Sequence, residues 1–314
     1  MTLDERIYQD LGDLLGHGQI QNAINVEKAF GVSSHAIPGY FAGKRNAKTV
    51  FVNLNPGCDA TMALYNSMPK LVAYRYLGFN AFVQNHKSEA RNAGFLLGGM
   101  LDHFDLKTAY FLSQWPNCGI NFPNDFPING NNETTNNKSI QIQANINCLN
   151  QKLQLEMLPY PSKNFDRIII KNVEYLYPFI ETIFQEIFRT KREYVIFAAT
   201  QFEFIFKNIN SKINNYRIVN IPFIKCSTNL NKKPDTINNQ IQLTKPVFCT
   251  PIVLEEISSR KQQNAIIANT FSNQSFSRAY DLMRQYGGFC YDTFKNYHSI
   301  HSTNNKKSTI QLNP

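Results

Sequence analysis

Residues 49–57, TVFVNLNPG, join a short apolar run to an Asn-Pro-Gly turn. The run is rich in β-branched and aromatic side chains, which favour a buried β-strand. Pro56 fixes φ at about −65° and Gly57 accepts a positive φ, so we expect the chain to turn sharply after the strand. Asn55 would then lie at the carboxyl end of a core strand, the edge at which open α/β sheets bind ligands. The sequence therefore predicts a functional site around Asn55.

Apolar segments along the rest of the chain alternate between helical and extended patterns. Helical spacing predicts helices over 3–15, 20–30, 81–103, 140–153, 173–188, 202–209 and 271–284. Runs of β-branched and aromatic residues predict strands over 108–115, 154–162, 194–199, 217–221 and 246–253. Strands that alternate with helices are typical of βαβ units, so we expect an α/β fold with a mainly parallel sheet.

The sequence predicts one α/β domain over residues 1–295, of which residues 1–36 form a helical N-terminal extension. Residues 117–137 are rich in Asn and of low complexity, which predicts a loop insertion, with a lid over the site as the functional alternative. Gly287-Gly288 is expected to end the last helix. Residues 296–314 are polar and are expected to form a disordered tail.

Charge and composition narrow the classes of partner and compartment. The formal net charge is +9 and the pI is about 9.2, which favours an anionic partner, nucleic acid first. The six cysteines form no CxxC pair and no zinc-binding pattern, so we expect reduced thiols in a cytoplasmic protein without metal or cofactor. No apolar run reaches the roughly 18 residues of a membrane span, so no membrane partner is expected.

Motifs of several well-known enzyme sites are absent from the sequence. It contains no Walker phosphate loop, no dinucleotide-binding glycine motif, no HExxH zinc motif and no GxSxG nucleophile motif. Histidine does not occur between His103 and His298, which argues against a histidine-dependent triad in the second half of the fold. His35, in the loop before the first predicted strand, is a candidate to line the site beside Asn55.

Residues 50–57, VFVNLNPG, resemble the first motif of the uracil-DNA glycosylase superfamily. In the mismatch-specific branch of that family a strand ends in Gly-Ile-Asn-Pro-Gly. Asn53 stands at the first Gly and Leu54 at the Ile, and the remaining three positions match. Weaker similarity to the family's lead-in and later elements occurs at 40–43, 47–49, 148–153, 194–199 and 276–282. The resemblance implies a three-layer α/β/α sandwich with a mainly parallel central sheet.

The resemblance also implies a reaction, the hydrolysis of the N-glycosidic bond of a flipped base in DNA. Such a site needs a polar group that holds water, donors for the departing base and an aromatic platform. By this resemblance Asn55 would position the water, and backbone after Gly57 would contact the base or a phosphate. The implied substrate-binding residues are Asn53, Pro56, Gly57, Cys58, Thr250, Arg260 and, as stacking aromatics, Tyr65 or Phe111.

The family's second motif, His-Pro-Ser or Asn-Pro-Ser after the last strand, is not matched at the positions where we expect it. The candidate segments are 249–252, CTPI, and 257–260, ISSR, which supply Thr250 and the cation Arg260 but neither His nor Asn. A single missing donor can lower a rate by about 10²–10³. Two alternatives therefore stay open: a non-catalytic nucleic-acid or protein-binding module of the same fold, and a small-molecule α/β hydrolase with Glu156 or Asp59 as base.

Overall fold

The residues described by the computed structural model are 1–54, 78–88, 103–118, 151–162, 172–209, 212–231, 244–271 and 280–308. They form a mixed α/β fold around a sheet of eight strands. The strands are β1 Phe41–Gly43, β2 Thr49–Asn53, β3 Lys152–Glu156, β4 Tyr194–Phe197, β5 Tyr216–Ile218, β6 Cys226–Asn231, β7 Thr244–Glu256 and β8 Lys261–Ile267. The helices are α1 Leu3–His17, α2 Gln21–Phe30, α3 Phe79–Ser88, α4 His103–Leu112, α5 Tyr177–Phe188, α6 Gln201–Ile209 and α7 Tyr280–Ser308.

The centre of the sheet is parallel and its margins are antiparallel. Strands β3, β2, β4 and β8 lie side by side in that order, and each neighbouring pair is parallel. β1 pairs antiparallel with β3 on one side, and β7 pairs antiparallel with β8 on the other. The long strand β7 also pairs with β5 and β6. The predicted α/β class is confirmed, and the carboxyl ends of the parallel strands meet at one edge.

Alternate residues of β2 belong to two different apolar clusters. Val50 and Val52 are in a cluster that includes side chains of α1, α2, α5 and α6. Phe51 is in a second cluster that includes side chains of α4 and α7. Because successive side chains of a strand point to opposite faces, β2 is covered on both. Such burial explains why its sequence is a continuous apolar run rather than an alternating one.

A buried carboxylate joins the N-terminal helices to the rest of the fold. Asp10 of α1 accepts hydrogen bonds from the Tyr40 hydroxyl at 2.9 Å and the Tyr160 hydroxyl at 2.8 Å. The Asn22 amide of α2 donates to the same carboxylate at 2.8 Å. Burial raises the pKa of Asp10, and the three donors act against that shift. The helical extension is thus tied to the sheet through residues 40 and 160.

The segment predicted as a strand over 108–115 is helix α4 followed by a turn. That prediction is wrong. The sequence is misleading here because residues 107–112 of the helix are all buried. An all-round buried helix shows no polar face, so a short apolar run does not distinguish it from a strand.

The predicted end of the last helix at Gly287-Gly288 is also wrong. Helix α7 passes through both glycines and reaches Ser308, so residues 296–308 are helical where the sequence predicts a disordered tail. Gly287 serves helix packing instead of termination: a methyl group on it would come within 2.0 Å of the Phe111 carbonyl oxygen of α4. Only a residue without a side chain permits this approach.

Other predicted elements are confirmed with shifted ends, namely α1, α2, α5, α6, β2, β3, β4, β5 and β7. The predicted insertion beyond residue 118 and residues 140–150 of the predicted helix over 140–153 lie outside the described residues, and the end of that predicted helix is wrong because residues 152–153 belong to β3. Within the described part of the chain, no helix combines the length and apolarity that a bilayer crossing requires.

Gly287 and Gly288 provide a matched pair of substitutions that tests the contact between α4 and α7. We expect Gly287→Ala to lower the free energy of unfolding by about 3 kcal/mol, because the added methyl group forces the two helices apart. In Gly288→Ala the nearest atom is Gln114 Cγ at 3.8 Å, an ordinary contact. That variant should be neutral or gain up to about 1 kcal/mol from helix propensity. Urea denaturation measures both, and equal effects would contradict the packing described here.

Candidate ligand site at the carboxyl edge of the sheet

The order of the parallel strands places a reversal of direction at β2. The chain passes from β2 to β3 on one side, and then to β4 on the other side of β2. In open α/β sheets the crevice for ligands lies outside the carboxyl ends of the two strands at such a reversal. Here those strands are β2 and β4. The predicted importance of the end of β2 therefore agrees with the strand order.

The ladder between β2 and β3 continues to the last described residue after β2. The Met157 amide donates to the Asn53 carbonyl at 2.9 Å, and the Leu158 amide to the Leu54 carbonyl at 2.8 Å. Hydrogen bonds between the two segments thus continue as far as Leu54, where the chain bends after the end of β2. The predicted residues Asn55, Pro56, Gly57, Cys58, Asp59 and Tyr65 lie outside the described residues.

Asn53, predicted to bind substrate, is buried and anchored to β3. Its Nδ2 donates to Glu156 Oε1 at 3.1 Å, and Gln154 Nε2 donates to the same oxygen at 3.1 Å. Lys152 Nζ in turn donates to Gln154 Oε1 at 2.9 Å. Among the described residues Asn53 Oδ1 has no hydrogen-bond partner. A buried polar row thus runs along one face of β3 and fixes the orientation of Asn53.

Asn269 lies two residues beyond β8 and is held by three other segments. Its Oδ1 accepts from Thr250 Oγ1 at 2.9 Å, and its Nδ2 donates to Glu203 Oε2 at 2.9 Å. Its backbone carbonyl accepts from Thr200 Oγ1, which follows β4, at 2.6 Å. The side chain is buried. Asn269 therefore presents a fixed amide at the carboxyl edge.

Sequence reasoning missed Asn269 because it did not predict β8. The strand begins with the polar residues Lys261, Gln262 and Gln263, and only its last part is apolar. A hairpin is indicated by the turn at 257–260. This turn lies between the apolar run that ends at Glu256 and the short apolar run at 265–268.

The structure separates the predicted residues Thr250, Arg260 and Phe111. Thr250 lies in β7 and is fully buried, and it supports Asn269. Arg260 lies at the opposite edge, in the turn before β8, and is exposed with φ of 55°. Phe111 packs edge-on against Phe51 and Phe271, with ring centroids 6.1 and 5.4 Å away. Its burial does not suit a role as a stacking platform for a base.

His35 lies near the N-terminal helices. It is exposed, and its Nδ1 is 2.9 Å from the Gly18 carbonyl oxygen. This contact lies within the segment between α1 and β1 and joins His35 to no residue of the carboxyl edge.

A cleft opens at the carboxyl edge beyond β4 and β8. Because β7 runs antiparallel to β8 with Thr250 opposite Ile267, the residues before Thr250 extend past the end of β8. The cleft has a volume of about 520 Å³, within the range of roughly 300–1,000 Å³ for ligand sites. It is lined by Thr200, Lys225, Lys245, Pro246, Phe248, Asn269 and Thr270.

Positive charge predominates around this cleft. Lys225 Nζ lies 4.8 Å from the Phe248 ring centroid and 4.0 Å from Glu203 Oε2. Burial lowers the pKa of Lys245. Lys107 is buried and donates to the Phe271 carbonyl at 2.5 Å; burial and the charge of Lys245 lower the pKa of Lys107 to about 8. Lys245 Nζ is itself buried, so it offers no exposed charge to the cleft.

Comparisons of the chain with protein-family models, with curated proteins and with solved structures find no match. The function is therefore inferred from the geometry and chemistry of this edge. The arrangement offers fixed amide groups from Asn53 and Asn269, and the ammonium group of Lys225. Such groups can hold a polar or anionic ligand and donate to developing negative charge.

Lys107 should make the stability of the protein depend on pH. Between pH of about 8 and 10.5 the folded protein has lost the Lys107 proton, whereas the unfolded chain keeps it. Because the unfolded state binds more protons there, stability of the wild type should rise with pH relative to Lys107→Met. Denaturant unfolding at pH of about 7 and about 10 measures that difference. The exposed Lys207→Met serves as control, and a difference that falls with pH would contradict the assignment.

Proposed function

We propose that this protein is a uracil-DNA glycosylase-like enzyme that hydrolyses the N-glycosidic bond of a flipped base in DNA. One observation carries the proposal: a fixed asparagine, Asn269, follows the last parallel strand. The family's second motif has His or Asn after its last strand, and Thr270 stands here where that motif has proline. With Asn55 after β2, the two motifs would lie at the same edge of the sheet.

The hydrogen bonds of Asn269 suit a donor for the departing base. Glu203 as a carboxylate only accepts, so the amide nitrogen of Asn269 faces it and the amide oxygen faces Thr250. The amide is thereby oriented before substrate arrives, and its second N–H remains as a donor. A preorganised donor stabilises charge that develops on the leaving group. Asn55 would hold the attacking water, with Asn53 and Glu156 fixing the end of β2.

The same proposal includes a three-layer α/β/α sandwich, a DNA partner and a cytoplasmic location. Helices that contribute to an apolar cluster on each side of β2 support the layering. The net charge of +9 and the lysines of the cleft support a polyanionic partner. The described cysteines, Cys118, Cys226, Cys249 and Cys290, are free thiols, as a reducing compartment favours.

Release of uracil from single- and double-stranded oligonucleotides tests this proposal. We expect Asn55→Ala and Asn269→Ala each to lower the single-turnover rate by about 10²–10³, because each removes one group that acts on the transition state. Asn208→Ala is the matched control, since Asn208 is an exposed amide on α6 bonded only to the Phe204 carbonyl among the described contacts. Release that is absent from the wild type, or unchanged in both site variants, would overturn the assignment.

A non-catalytic nucleic-acid-binding module is the second candidate, and Glu203 favours it. Its carboxylate lies 2.9 Å from the Asn269 nitrogen, so a negative charge stands next to the proposed donor and opposes an anionic leaving base. DNA binding with a steep salt dependence and no base release would support this candidate. If Glu203→Gln releases the base and the wild type does not, the protein would instead be an enzyme in which the Glu203 charge suppresses the donor Asn269.

A further inference from the structure

We propose that Cys226 and Cys249 form a redox-active thiol pair, which a small-molecule disulfide oxidises to a covalent bond between strands β6 and β7. The pair is a modification site separate from the proposed base hydrolysis, because it involves none of the groups assigned to that reaction. The oxidant is defined by its chemistry, as a low-molecular-weight disulfide of the glutathione type.

The pairing of β6 with β7 places the two cysteines directly opposite each other. Cys226 is the first residue of β6, and the register of the antiparallel ladder pairs it with Cys249. Side chains of directly opposite residues lie on the same face of a sheet. Cys249 belongs to the apolar cluster that includes side chains of α4 and α7, and Cys226 packs against the same cluster. The two sulfur atoms therefore share one face, which is the first requirement for a disulfide.

The hydrogen bonds of Phe248 indicate which kind of pair the cysteines form. Its N–H donates to Thr270 Oγ1 at 2.8 Å and its carbonyl accepts from the Tyr286 hydroxyl at 2.6 Å, so both groups point away from β6. Because backbone groups alternate in direction along a strand, those of Cys249 point toward Cys226, and the two residues form a hydrogen-bonded pair. Their Cα atoms are then about 5.5 Å apart, within the range of about 4.4–6.8 Å for disulfides.

A disulfide at this position is strained, and strain makes it reversible. The Cβ atoms of a hydrogen-bonded pair are about 5.5 Å apart, whereas a disulfide needs about 3.5–4.5 Å. Cys226 can move toward Cys249 because the ladder begins with it. Strained disulfides are reduced readily and are the labile or regulatory ones. We therefore expect the bond to form under oxidising conditions and to be reversed by small thiols.

Burial assigns different roles to the thiols in this region. Cys226 is partly exposed, whereas Cys249 and Cys290 are fully buried. A small disulfide therefore reaches Cys226 first, and Cys249 reacts with the product from the protein interior. Cys290 of α7 is hydrogen-bonded to Cys249, and burial followed by this hydrogen bond raises the pKa of Cys290. Cys290 thus stays a neutral thiol in contact with the Cys249 sulfur.

The oxidation proceeds by two thiol–disulfide exchange steps. In the first, Cys226 loses its proton and its sulfur attacks the small disulfide, which forms a mixed disulfide and releases one small thiol. In the second, Cys249 loses its proton and its sulfur attacks that of Cys226, which forms the protein disulfide and releases the second small thiol. Two electrons and two protons pass from the protein to the oxidant. Burial and the charge of Cys249 raise the pKa of Cys226, so the first step is slow at neutral pH.

Incubation with oxidised glutathione, followed by blocking of the remaining thiols and peptide mapping, tests the proposal. In the wild type we expect the loss of two thiols per chain and a bond between Cys226 and Cys249 that reduced dithiothreitol removes. Cys249→Ala should stop the reaction at the mixed disulfide on Cys226, a product that a merely structural role of Cys249 would not give. Cys226→Ser should yield neither product, because the oxidant does not reach the buried Cys249. Thermal melting checks that each variant is folded.

Cys118→Ala is the matched control, since Cys118 is a buried thiol of the same apolar cluster that is hydrogen-bonded to Thr49 Oγ1 at 3.4 Å. This variant should be oxidised as the wild type is. No loss of thiols, a lasting mixed disulfide in the wild type, or a bond that joins other cysteines would overturn the proposal, as would an unchanged yield in Cys226→Ser. Base release is not measured, so these outcomes are independent of the proposed function.

Discussion

The parallel pairing of β2 with β3 on one side and β4 on the other is the constraint on which the rest of the structure depends. Val50 is paired with Leu153 and with Val195, and all three are fully buried. The two ladders fix where β2 ends, and so where the chain leaves the sheet toward Asn55. They also set the reversal of strand direction that makes the carboxyl ends of β2 and β4 the favoured ligand edge. Polar groups at this edge, such as Asn53 and Glu156, have fixed positions because the paired strands β2 and β3 hold them.

Most of the sheet could be predicted from the sequence, and the failures have physical causes. β2 and β4 are short runs of β-branched and aromatic residues that are buried on both faces, a pattern that strands favour. The segment around Phe111 is equally buried but helical. Its sequence has no apolar periodicity that would distinguish a helix from a strand. Gly287 looks like a helix stop, yet its lack of a side chain permits a close contact between two helices. Local sequence does not record such long-range contacts.

The candidate site was predicted in part. The end of β2 was located from the Asn-Pro-Gly turn, and Asn53 does lie at the carboxyl edge, bonded to Glu156. Asn269 was missed because the first half of β8 is polar, and the second half gains its strand character from pairing with β4 and β7. The cleft could not be foreseen, because Thr200, Phe248 and Asn269 meet only through the pairing of β4, β7 and β8. The net charge alone predicts that a partner would be anionic, but it does not indicate where on the protein such a partner would bind.

We propose that a ligand binds at the carboxyl edge of the parallel strands. Hydrogen exchange measured by mass spectrometry, with and without a uracil-containing single-stranded oligonucleotide, tests it most directly. Binding at this edge should slow exchange in peptides that cover Asn53, Thr200 and Asn269, with no change at the opposite edge around Lys48 and Glu193. Protection confined to that opposite edge, or to the turn at Arg260, would show that the ligand binds elsewhere.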